Sequence, residues 1–130
     1  MTTERPTQRW PQSVYGDGDE PDPRFSFANQ RTLLAWVRTA LALVLAAAVV
    51  DAVPVDVSST LRIGATLLLS VLGIGAALQG WRAWVLAERA LRHGQPLPSS
   101  GGMGLVLVSG VGAAAALVIG VALAGGYTYA

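Results

Sequence analysis

Apolar positions fall into three long blocks divided by short polar breaks. Leu33 to Val50 is interrupted only by Arg38 and Thr39, and Leu61 to Leu78 carries one charge, Arg62. Met103 to Ala124 holds no charge, and its only hydroxyl is Ser109. Blocks of this length suit α-helices crossing a hydrocarbon layer of about 30 Å. The pattern predicts an all-α fold, an integral membrane domain of three transmembrane helices over about residues 23–53, 60–93 and 103–124. Local signals sharpen the ends. Asp22 can cap the first helix with Pro23 as its first helical residue, while Asp51 and Pro54 close it. Ser58 or Ser59 can cap the second, and Gly94, followed by Pro96 and Pro98, ends it. A helix from 60 to 93 would be roughly 50 Å long, so its last turns stand in water. Trp81 and Trp84 suit the interfacial belt.

The flanks read differently. Residues 1–21 mix prolines and glycines with Asp17, Asp19 and Glu20, and are expected to be a disordered cytoplasmic tail. They contain no apolar core of a cleavable signal peptide, so the first span is expected to be retained. Residues 22–126 form the expected three-span domain, and 127–130, with Tyr127 and Tyr129, an external C-terminal end. Arg24, Arg31, Arg38, Arg82, Arg89 and Arg92 lie toward one side of the spans, and only Arg62 toward the other. The positive-inside rule then sets the N-terminus in and the C-terminus out.

Composition agrees with a bilayer setting. The chain is 52% hydrophobic and 13% charged, against about 25% charged in ordinary soluble domains. All nine basic residues are arginine, the side chain best shaped for bidentate contact with phosphate or carboxylate. Without cysteine, and with His93 as the single histidine, neither a metal centre nor a cofactor is expected. No nucleophile–base pair, paired-carboxylate pocket or phosphate loop is discernible, so the chain is not expected to be an enzyme.

Candidate chemistry concentrates at the start of the first helix. Arg24, Arg31 and Arg38 recur every seven residues and share one helical face, climbing it in steps of roughly 10 Å. A charge in lipid costs at least about 2.5 kcal/mol, so this ladder points to an anion site at one membrane face. Asn29 and Arg82 join it as candidate anion-binding residues. Arg89, Arg92 and His93 form a basic face for lipid or a partner at the end of the second helix. Gly112, Ala116 and Gly120 make a small-residue stripe expected to pack the third helix, within or between subunits.

The run from Asp22 to Leu43, Asp-Pro-Arg-Phe-Ser-Phe-Ala-Asn-Gln-Arg-Thr-Leu-Leu-Ala-Trp-Val-Arg-Thr-Ala-Leu-Ala-Leu, resembles the signature of the bacterial YidH-like family (domain of unknown function 202). The stretch Glu88-Arg-Ala-Leu-Arg-His-Gly-Gln-Pro-Leu-Pro98 resembles the segment after that family's second span. Phe27-Ala28-Asn29, Arg31-Thr32, Leu34, Trp36 and Trp81-Arg82-Ala83 further resemble the small membrane subunit of the eukaryotic vacuolar transporter chaperone complex, which makes and translocates polyphosphate. The chain departs from that subunit at Gln30, where the subunit has glutamate, and at Arg38, where the subunit has asparagine. The resemblance implies a bacterial plasma (inner) membrane protein forming a homo-oligomer, a pentamer, around a pore, with Arg24 and Arg31 at basic pore positions. The expected function is an oligomeric membrane protein with an arginine-lined cytoplasmic vestibule, extending to a path for phosphate or polyphosphate-like anions. The alternative is a non-conducting scaffold that recruits a cytoplasmic partner through the basic end of the second helix. Membrane lipids are expected partners; nucleic acid is not.

Overall fold

A computed structural model describes residues 9–54, 56–99 and 101–126. The described residues form four helices: α1 (Gln12–Tyr15), α2 (Pro23–Ala52), α3 (Ser59–Arg92) and α4 (Gly101–Gly126). No strand occurs among the described residues. The helix ends follow the expected chemistry. Asp22 accepts from the Arg24 N–H with Pro23 in the first turn, and the Ser58 hydroxyl accepts from the Leu61 N–H. At the end of α3, Gly94 adopts φ +61°, which lets Gln95 N–H reach Ala90 O at 2.9 Å and Gly94 N–H reach Leu91 O at 3.4 Å. That pair of bonds is a Schellman closure, and the left-handed φ is why glycine stands there.

α2 and α3 pack antiparallel along their length, and small residues on α3 set the separation. The inward stripe of α2 runs through Trp36, Ala40, Leu43 and Ala47, at helical spacing. It meets Ala65, Leu69, Gly73, Ala76 and Gly80 of α3, which are all buried. A Cβ at Gly73 would stand 2.8 Å from Val44 Cγ2 and 3.1 Å from the Ala40 carbonyl, and one at Gly80 would overlap Trp36. Close backbone approach is therefore built on Gly73 and Gly80.

α4 lies against α3 over a shorter stretch, through Ala114, Val111 and Val118. Leu72 of α3 fits into the gap left by Gly110, where a Cβ would stand 2.7 Å from its Cδ2. The expected stripe does not make this contact. Gly112, Ala116 and Gly120 are exposed, and a Cβ at either glycine would meet nothing within 4 Å. Two residues of offset turn a helix by about 200°, so the packed positions 110, 114 and 118 lie opposite the stripe.

The expected disorder of residues 1–21 does not extend over the described part, residues 9–21. This segment folds back onto the end of α3, and Val14 is 0% exposed. Trp10 lies tilted against Trp81 with centroids 5.8 Å apart, and Tyr15 approaches Trp84 at 6.3 Å. The aromatic residues of both segments supply the apolar contact that the tail's overall composition conceals. Residues 1–8 and 127–130, including Tyr127 and Tyr129, lie outside the described residues.

Large apolar residues cover much of the outer surface of the bundle. Leu41, Leu45, Val71 and Leu78 are exposed to 66%, 65%, 65% and 66%. α2 and α3 are each long and apolar enough to cross a membrane, and α4 carries a shorter apolar stretch, Gly104–Gly120.

Candidate functional site

α2 carries two polar faces with opposite fates. Ser26 and Asn29 point inward, while Arg24, Arg31 and Arg38 are exposed. Each arginine stands two residues from an inward position, namely Ser26, Asn29 and Ala40, which is roughly half a turn around the helix. The ladder thus keeps its common face but turns it away from α3. None of the three side chains has an ion-pair or hydrogen-bond partner among the described residues.

Asn29, expected beside the ladder, is committed elsewhere. Its Nδ2 donates to the Trp84 carbonyl at 3.1 Å and to Glu88 Oε2 at 3.2 Å. Ser26 Oγ donates to Glu88 Oε1 at 3.0 Å. An amide that spans two partners on α3 fixes the register of the helix pair, and its N–H donors are taken up there. Arg82 is also separate from the ladder. It lines a groove between α2 and α3 together with Asn29, Thr32 and Gln79, and none of the ladder arginines lines that groove.

Glu88 is the centre of a polar node that local sequence reading missed. It is 2% exposed and Arg92 is 8% exposed, with Arg92 Nε 4.0 Å from Glu88 Oε1. The guanidinium also lies over the Tyr15 ring, 4.8 Å from its centroid. The expected basic docking face is consequently altered. Arg92 is buried, Arg89 Nε donates to the Ser13 carbonyl at 3.2 Å, and His93 Nε2 lies 3.4 Å from Asp17 Oδ2. Asp19 N–H donates to the Arg92 carbonyl at 3.1 Å, beside Gly18, where a Cβ would stand 2.8 Å from that oxygen. The chain's own residues 13–19 occupy this end of α3. The only early signal was the i, i+4 spacing of Glu88 and Arg92.

Long helices that turn leucine and valine outward around a thin small-residue seam define an integral membrane protein. The chain belongs to the family described as Domain of unknown function (DUF202), which matches residues 24–90. It is similar to the inner membrane protein YidH of Escherichia coli (strain K12), with 40% identity over 82 residues, 62% of this chain and 71% of that protein. It is also similar to the uncharacterized protein Rv2272 of Mycobacterium tuberculosis (strain ATCC 25618 / H37Rv), with 45% identity over 80 residues, 61% of this chain and 66% of that protein. No solved structure matches the chain. Family and apolar helices together make it a multi-pass protein of the bacterial inner membrane. The family match includes the ladder, Asn29 and Glu88, and leaves out Arg92 and the segment folded against it.

Proposed function

We propose that the protein is a non-enzymatic homo-oligomer of three-span subunits whose arginine ladders face a shared cytoplasmic vestibule that binds phosphate-bearing anions. One observation carries this reading: Arg24, Arg31 and Arg38 stand exposed and unpaired on the face of α2 opposite its packing stripe. Facing lipid, the deeper guanidinium would cost at least about 2.5 kcal/mol. Ladders of neighbouring copies around a water-filled interior avoid that cost and concentrate positive charge where a polyanion can enter. Extension of the vestibule into a conducting path for polyphosphate-like chains is the further form of the same reading. A scaffold docking through the basic end of α3 is the weaker alternative, because residues 13–19 already lie on that end.

Binding of inorganic polyphosphate to the purified full chain tests the proposal. Arg31→Ala is expected to weaken it about tenfold, the loss of one charge-assisted contact, and Arg62→Ala to leave it unchanged. Arg38→Lys keeps the charge but loses the planar fork, so a bidentate site is weakened and a merely snorkelling side chain is not. Affinity should fall with added salt. Affinity unaffected by both Arg31→Ala and Arg38→Lys would reduce the ladder to lipid anchoring and overturn the vestibule.

A further inference from the structure

At the end of the bundle away from Glu88, the three long helices partly enclose a cavity of about 170 Å³. Val49 and Val50 of α2, Ala65 of α3, and Val118 and Ala122 of α4 wall it, and Arg62 is the single charged residue in the lining. An apolar cavity of about 150 Å³ stays dry and takes up a benzene-sized hydrocarbon. Arg62 enters the lining through its hydrocarbon stem, so the wall itself is apolar and the charge belongs to the rim. Arg62 is half-buried and has no ion-pair or side-chain hydrogen-bond partner among the described residues. Asp51 and Asp56 lie at the same end but are exposed and do not pair with it. An unpaired guanidinium at the rim of an apolar cavity suits an anion that also carries hydrocarbon.

We infer that this cavity is a specific site for one anionic phospholipid. Arg62 lies in the first turn of α3, near the edge of the apolar span, at the height where a phosphodiester sits in a bilayer. The guanidinium holds the phosphodiester through charge-assisted bonds, and the valine-lined cavity receives the upper part of an acyl chain. The site requires only that the helices lie in a membrane. It depends neither on the arginine ladder nor on which end faces the cytoplasm.

Native mass spectrometry of the full chain in detergent, titrated with dioleoyl phosphatidylglycerol, tests it. One lipid per subunit should be retained preferentially. Arg62→Gln should weaken it about tenfold, the loss of one charge-assisted contact. Ala122→Phe fills the cavity from the exposed side of α4 and should weaken retention while leaving the guanidinium in place, so the test stands even if Arg62→Gln does not fold. Arg31→Ala and Arg82→Gln should have no effect, which separates this site from the vestibule. Unchanged retention in Arg62→Gln or in Ala122→Phe, or an equal loss in Arg82→Gln, would show only annular lipid and overturn the site. Displacement of the phospholipid by an equal concentration of oleate would assign the cavity to a free carboxylate instead, overturning the phospholipid assignment.

Discussion

Glu88 stands among Arg82, Arg89, Arg92 and His93, and a local reading makes it a minor counter-charge on a solvated face. In the structure it accepts from Ser26 and Asn29 of α2 and is paired with the buried Arg92. Its three partners come from both long helices, so the carboxylate ties α2 to α3 at the arginine-rich end. Removing one partner of a buried pair leaves the other uncompensated, a loss of about 3–5 kcal/mol. Glu88→Ala is therefore expected to lower the unfolding temperature of the detergent-solubilised protein clearly. Asp51→Ala, at an exposed position, should change stability by less than about 0.5 kcal/mol. Equal unfolding temperatures for the two variants would remove the node from the stability of the fold. Asn29 belongs to the same argument, since its amide is satisfied by α3.

Small residues in α3 and α4 look equivalent as sequence, yet the two helices use them differently. Gly73 and Gly80 permit contact with Ala40, Val44 and Trp36, whereas Gly112 and Gly120 border open space. A side chain forced into a filled interface costs typically about 1–3 kcal/mol through displaced rotamers and backbone. Gly80→Leu is accordingly expected to destabilise the subunit by at least that much, through collision with Trp36. Gly112→Leu should leave the subunit's own stability nearly unchanged, because no neighbour among the described residues meets it. Thermal unfolding of the dilute, detergent-dispersed chain distinguishes the two, and equal damage at both positions would contradict the seam described for α2 and α3. The glycine signal was present in both helices, but spacing alone does not say which small-residue face meets a partner.

For the whole molecule, antiparallel packing gathers Arg24, Arg31, Arg82, Arg89 and Arg92 toward the Glu88 end and leaves Arg62 at the other. We propose that the arginine-rich end is held in the cytoplasm and that α4 crosses as a third span, an arrangement that puts the C-terminus outside. A reporter active only outside the cytoplasm should give signal when fused at the C-terminus and none when inserted between Gln95 and Ser99. The same result at both positions would mean that α4 does not cross, and the reverse pattern would place the ladder outside.

The helices were legible in the chain because their causes are local. Runs of apolar residues, the Asp22–Pro23 and Ser58 caps, and the left-handed turn at Gly94 act within a few residues of each other. The ladder's common face was legible for the same reason, since a spacing of seven is a property of one helix. Which way that face turns depends on α3. Ser26 and Asn29 find Glu88, and Ala40 finds Gly73, so the arginines half a turn away are left outside. The return of residues 9–21 onto Trp81, Trp84 and Arg92 is likewise a meeting of segments distant along the chain. So are the convergence of three helices on the cavity beside Arg62 and the choice of Gly110 over Gly112 for contact. Periodicity fixes what a helix can offer on each face; the side chains of the helix opposite decide which face is buried.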